Sequence, residues 1–253
     1  MLTVFIIGTA GAGKSSFTAA FAEWLKTARQ DVSTVNLDPG AVTLPYSPDV
    51  DVRNLINLEN LMEEYRLGPN GALIMAADLI ADETRRLTGE IEELQSDIVL
   101  VDTSGQMELF AFRASGPYIA SELMKETKAI IYLFDSVFSV NPLNYVSNLF
   151  LSTAVYNRFF LPQLHLISKS DLLPRDQVRE IMSWSTNQKS LEIAIEQKLE
   201  GTRRLLSINM MQAIYKLGLR FPFVSVSAKT SEGMINVNAV LERIATGGEK
   251  YTY

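Results

Sequence analysis

Eight residues near the start of the chain, Gly8-Thr9-Ala10-Gly11-Ala12-Gly13-Lys14-Ser15, constrain the fold more than any other feature. They match G-x-x-x-x-G-K-[ST], follow an apolar run at Leu2–Ile7 and open a stretch patterned as a helix at Lys14–Ala28. Strand, glycine-rich loop and helix in that order make a cradle for phosphate. The glycines let backbone N–H groups converge on phosphate oxygens. The helix N-terminus adds the positive end of its dipole. Gly11, Ala12 and Gly13 supply the loop backbone, and Ser16 follows on the helix. Lys14 is placed to reach the β- and γ-phosphates, and the Ser15 hydroxyl to ligate Mg²⁺.

The rest of the chain alternates in the same way, which predicts an α/β fold of three layers around a mostly parallel central sheet. Strands are predicted at Leu2–Ile7, Val32–Asn36, Asp97–Val101, Ala129–Phe134, Leu164–Ile167 and Phe223–Val226. Helices are predicted at Lys14–Ala28, Leu58–Tyr65, Gly71–Gln95, Phe112–Lys125, Asn144–Phe159, within Gln188–Leu217, and at Met234–Ala245. The 253 residues read as a single domain, with an added helical lobe inserted at about 174–220.

Composition removes whole classes of chemistry. There is no cysteine, so disulfides, thiolate metal sites and cysteine nucleophiles are excluded. The single histidine, His165, lies in the apolar run QLHLI and reads as structural. The net charge of −6 argues against a broad nucleic-acid footprint. No apolar run approaches the ~20 residues of a membrane span, and the default expectation is a cytoplasmic protein.

Three more motifs stand at the ends of predicted strands, where open α/β sheets bind ligands. Asp102-Thr103-Ser104-Gly105-Gln106 follows IVLV. Asp102 sits where P-loop proteins keep a magnesium carboxylate, and Gly105 lets its N–H approach the γ-phosphate. Ser168-Lys169-Ser170-Asp171 has the pattern x-K-x-D. The Asp171 carboxylate can accept from guanine N1–H and N2–H₂, which adenine lacks, while the Lys169 stem packs over the base. Ser227-Ala228-Lys229 follows FVSV, where a backbone N–H meets guanine O6. The order P-loop, D-x-x-G, x-K-x-D, S-A-K selects GTP and GDP over adenine nucleotides.

The stretch from Lys14 to Asp102 is long for a small Ras-like GTPase. It holds NLDPG at 36–40, YSPDVDVR at 46–53 and GPNG at 68–71. Together with GTAGAGKS at 8–15, DTSGQME at 102–108, SKSDLL at 168–173 and SAK at 227–229, these make the chain resemble the GPN-loop GTPases. The resemblance runs from residue 1 to about 230 and implies a homodimeric GTPase using Mg²⁺. It implies that Asn70, set by Gly68 and Pro69, projects toward the γ-phosphate in the partner's site. Asp38 resembles the carboxylate that helps position the attacking water and the magnesium shell. Gln106 and Glu108 resemble a second pair on the water side. Which of the three holds the water stays open.

Each has a plainer local reading. Asn70 can cap a helix starting at Gly71. Asp38 can belong to a D-P-G turn. Glu108 can complement a helix dipole. The sequence also departs from the family pattern. Ser104 stands where the family usually has Pro, and Ser168 where GTPases usually have Asn, which weakens one support of the base site.

Leucine, isoleucine and methionine crowd the segment from Leu199 to Leu217. The plain reading is core; the alternative is a groove for a protein or peptide client. The resemblance points to RNA polymerase subunits as clients. Two alternative functions are a P-loop kinase, which SKSD and SAK do not fit, and a metal-delivery GTPase, for which Cys and His ligands are lacking.

Overall fold

A computed structural model of the chain describes residues 1–247. The first half runs β1 (Leu2–Gly8), α1 (Lys14–Thr27), β2 (Val32–Asn36), β3 (Val50–Asp51), α2 (Leu58–Glu64), α3 (Pro69–Asp82), α4 (Thr84–Glu93) and β4 (Ile98–Asp102). Then come α5 (Met107–Ala111), α6 (Ser115–Glu122), β5 (Thr127–Asp135), α7 (Ser136–Ser139) and α8 (Pro142–Phe159). The chain continues through β6 (Gln163–Ser168), α9 (Arg175–Thr186), α10 (Gln188–Lys198), α11 (Gly201–Lys216), β7 (Phe223–Ser225) and α12 (Met234–Ala245).

The strands form one sheet in the order β3-β2-β4-β1-β5-β6-β7. Every described pairing is parallel, so the sheet is wholly rather than mostly parallel. Parallel strands need crossovers, and helices on both faces bury them, which explains the unbroken apolar runs. Side chains alternate between the faces. Val4 and Ile6 of β1 pack with Phe17, Phe21 and Leu25 of α1 and with α12. Phe5 and Ile7 point the other way, into the larger core under α3 to α11. Each such fully buried side chain contributes about 1.5–3 kcal/mol.

Three expectations need correction. The short edge strand β3 was not foreseen. The helix expected over Gly71–Gln95 is two helices, α3 and α4, that meet at Glu83. There the buried Thr84 hydroxyl donates to the Ile80 and Ala81 carbonyls at 3.3 and 2.8 Å, competing with the helical ladder. The helix expected over Phe112–Lys125 is the shorter α6, Ser115–Glu122, and a separate short helix, α5, that was not expected precedes it. Gly116 permits the break between them: a Cβ there would stand 1.6 Å from the Phe110 carbonyl oxygen.

His165 is fully buried, its ring centroid 4.4 Å from Phe221 and 4.6 Å from Phe223. Burial depresses its pKa to about 3, so the ring is neutral and structural at working pH. Among the described residues no helix is long and apolar enough to cross a membrane.

Candidate active site

All parallel strands end on the same edge, and the predicted motifs gather there. Asp102 ends β4 in register with Ile6 of β1 and Asn36 of β2, so the Asp38 loop and the P-loop flank it. Asp135, which ends β5, is in register with Ser168 of β6.

Gly13 takes φ 91°, a left-handed conformation, and leads directly into α1. Lys14 is 6% exposed. Its ammonium donates to the carbonyls of Gly8 at 3.0 Å, Thr9 at 3.4 Å and Gly105 at 3.2 Å. The lysine thus ties the P-loop to the D-x-x-G loop. Burial lowers its pKa, while the charges of Asp102, Asp38 and Glu108 oppose that shift.

Asp102 is 1% exposed. Its Oδ2 accepts from the Tyr46 hydroxyl at 3.0 Å, and its Oδ1 is buried with no hydrogen-bond partner of standard geometry. Burial raises its pKa to about 6, against the opposing influence of the Ser15 and Tyr46 hydroxyls and of Lys14. An under-satisfied buried carboxylate oxygen beside a serine hydroxyl is the donor set a hard cation requires. Among the described residues no cluster of three or more His, Cys, Asp or Glu side chains could hold a metal. Mg²⁺ takes one or two carboxylates and completes its shell with phosphate and water, so Ser15 and Asp102 are the residues whose chemistry suits it.

Asp38 lies near enough to that pair for its charge to act on Asp102. Its Oδ1 accepts from Gly40 N–H at 2.9 Å, and its Oδ2 from Gly105 N–H at 2.7 Å. Each oxygen accepts one hydrogen bond, which leaves the carboxylate further lone pairs. The Gly105 N–H, expected to face phosphate, is held by Asp38. The two loops are therefore latched to each other through one carboxylate.

A brace sits behind Asp38. Asn36 exchanges hydrogen bonds with the Asp38 backbone at 3.0 and 3.2 Å and donates to Asp51 Oδ1 at 2.9 Å. Asp51 pairs with Arg53 at 2.6 Å, and Arg53 reaches the Ala41 carbonyl at 2.8 Å. Sequence reasoning assigned no role to Tyr46, Asp51 or Arg53, although all three lie in the quoted YSPDVDVR segment.

Gly68 is the N-cap of α3, Pro69 the first helical residue and Asn70 the second, all three exposed. Asn70 therefore stands inside the first turn rather than at the cap of a helix from Gly71. A few residues on, Leu73 faces the nucleotide loops: a Cβ on Gly40 would stand 2.9 Å from its Cδ2. Leu73 also lines a small apolar cavity with Leu37, Pro39, Ser104, Phe110 and Gly116. Helix α3 thus touches both the Asp38 loop and the Ser104 loop. Gln106 is the exposed N-cap residue of α5, and Glu108 lies exposed in its first turn.

A cavity of about 760 Å³ opens alongside α1. Ser16, Tyr46, Lys169, Asp171, Ala228 and Lys229 are among the residues that line it. The Ser227 hydroxyl donates to Asp171 Oδ1 at 2.7 Å and so fixes the carboxylate. The Ser168 hydroxyl lies 2.8 Å from the Ala12 carbonyl and 3.1 Å from that of Phe134. Serine in place of asparagine thus still ties β6 to the P-loop.

Comparison with known proteins agrees with this geometry. Residues 6–247 match a family described as conserved hypothetical ATP binding protein. GPN-loop GTPase 1 of Saccharomyces cerevisiae is 28% identical over 243 residues, covering 91% of this chain and 62% of the relative. GPN-loop GTPase QQT1 of Arabidopsis thaliana is 34% identical over 172 residues, 66% of this chain and 58% of the relative. The chain therefore spans about three-fifths of the length of these relatives. The crystal structure of a GTPase in apo form from Pyrococcus abyssi superposes with a TM-score of 0.84 at 28% identity, covering 96% of both chains. On these matches, and on the motifs gathered at one edge of its sheet, the chain belongs to the GPN-loop GTPase family.

Proposed function

We propose that the chain is a homodimeric GTPase that hydrolyses GTP to GDP and phosphate with Mg²⁺. The observation that carries the choice of base is the Asp171 carboxylate, fixed by Ser227 at 2.7 Å on the cavity that Lys169 and Ala228 also line. A carboxylate so held accepts from guanine N1–H and N2–H₂; adenine offers it no matching donors. The relatives' names support the same choice, although the family description speaks of ATP.

The chemistry follows from the residues. Lys14 and the P-loop N–H groups hold phosphate oxygens and offset the charge that develops on the transferred group. Ser15 and Asp102, with Asp38 beside them, would hold Mg²⁺, which would supply further neutralisation of that charge. Asp38, Gln106 and Glu108 are placed around the loop that orients the attacking water. Asn70 of one subunit completes the site of the other by donating its amide to the same developing charge. The latch between Asp38 and Gly105, packed against α3, lets the nucleotide state bias the helix that carries Asn70. The exposed leucines Leu205 and Leu206 of α11, with Leu217 just after it, offer a surface for a protein or peptide client, with RNA polymerase subunits as the candidates.

The test is steady-state hydrolysis of GTP and ATP with Mg²⁺. GTP should be turned over in strong preference to ATP, and Asn70→Ala should slow turnover by about tenfold, the share of one transition-state donor of modest charge. Mixing Asn70→Ala with Lys14→Ala protein should then recover activity that neither has alone, because the mixed dimer contains one site with both residues. Equal use of ATP would sink the guanine assignment, and no recovery on mixing would sink the shared site.

A further inference from the structure

The base-recognition lysine is held from a direction that none of the sequence motifs includes. Asp135 ends β5, and its two carboxylate oxygens have separate partners. Oδ1 accepts from the backbone N–H groups of Val137 and Phe138 at 2.9 and 3.2 Å, capping α7. Oδ2 pairs with the Lys169 ammonium at 2.7 Å. The same ammonium donates to the Gly11 carbonyl of the P-loop at 2.6 Å. At the other end of the lysine, its carbonyl accepts from the buried Ser136 hydroxyl at 2.9 Å. Lys169 takes φ 57°, a left-handed conformation uncommon outside glycine, so its backbone needs that support. Its stem also touches the P-loop, for a Cβ on Gly13 would lie 3.6 Å from Lys169 Cε.

We propose that Asp135, assisted by Ser136, is a positioning residue for nucleotide affinity: it clamps Lys169 at both ends and holds its stem where the base must stack. The assignment rests on the nucleotide reading above. A lysine side chain loses about 2 kcal/mol of rotamer freedom when ordered. A clamp meets that cost before the nucleotide arrives, so the benefit appears as tighter binding.

Asp135→Asn separates the two roles. Asparagine caps helices as well as aspartate does, so α7 keeps its N-terminus. The amide then presents N–H groups to the ammonium and the ion pair is lost. The expected result is a rise of about tenfold (about 1.4 kcal/mol) in the Kd for GDP and GTP, with the melting temperature close to that of the unmodified protein. In steady state the loss should appear in KM rather than in kcat. In a Lys169→Met background the same substitution should change Kd by less than about twofold, because Asp135 acts through Lys169. Should Asp135→Asn fold poorly, Asp135→Ser, another good cap, carries the same cycle. An unchanged Kd in a folded variant, or an equal loss with Lys169 already removed, would overturn the clamp. The nucleotide reading fails separately: it would show as equal affinity of the unmodified chain for ATP, and the coupling between Asp135 and Lys169 is then read on that nucleotide.

Discussion

Replacing Lys14 by alanine should lower GTP turnover by about 10²–10³-fold, the cost of removing one group aimed at developing charge. The same variant should melt no lower than the unmodified protein. Both halves follow from its surroundings. The ammonium is almost wholly buried, and its partners are three backbone carbonyls, none of them a carboxylate. Carbonyl dipoles compensate a buried charge only in part, and its lowered pKa shows that burial dominates. Removing it relieves that cost and leaves the carbonyls of Gly8, Thr9 and Gly105 open to water. An arginine would not substitute, because its planar fork cannot enter a loop shaped for a point charge. Phosphate release measured beside a thermal melt decides the matter. Turnover within tenfold of the unmodified chain would remove Lys14 from the mechanism, and a large fall in melting temperature would make its role structural.

The contrast between residues that stabilise and residues that strain the fold bears on what the sequence could reveal. The apolar runs of β1, β4, β5 and β6 were legible because helices cover both faces of the sheet, which demands such runs, and the shorter β2 and β7 from their β-branched and aromatic residues. β3 was not legible. It is two residues long, Val50–Asp51, set among charged neighbours, and its pairing comes from the register of β2 rather than from its own pattern. The breaks at Glu83 and before Ser115 differ in how far the sequence showed them. The first carries no proline and arises from the bonding of a threonine hydroxyl to carbonyls of its own preceding turn, which pattern alone does not show. The second did carry a signal, Pro117, which a first helical turn tolerates and a helix interior does not, while the close approach at Gly116 is a tertiary effect.

The site divides in the same way. Gly13, Lys14, Ser15, Asp102, Asp171 and Ser227 lie at strand ends in fixed motifs, and chain order alone brings them to one edge. The carboxylate of Asp38 was legible as a candidate, but not its position between Gly40 and Gly105, which depends on how the loop folds back. Asp135 carried the same signal as Asp102, a carboxylate closing an apolar strand, and could have been singled out by that rule.

Asp102 offers the second large effect, and it runs in opposite directions for stability and activity. In metal-free buffer at pH 8, Asp102→Asn should raise the stability of the protein while lowering its GTP turnover by about 10²-fold or more. The carboxyl is buried, and its pKa rises from 3.8 to about 6 on folding. A carboxyl with a raised pKa binds its proton more tightly in the folded than in the unfolded chain, so stability falls as pH rises between those two values. Above pH 6 the full penalty is present, on the order of 3 kcal/mol. Below about pH 4 both states are protonated and the penalty is gone. Asparagine resembles the protonated form and can still accept from the Tyr46 hydroxyl, so the gain of the variant should be largest at pH 8 and vanish toward pH 4. Chemical denaturation at several pH values, with a chelator present, measures the curve. Added Mg²⁺ and nucleotide should then stabilise the unmodified protein and leave the variant nearly unmoved. Parallel stability curves for the two proteins would mean that Asp102 carries no buried charge, and the metal assignment would lose its physical basis.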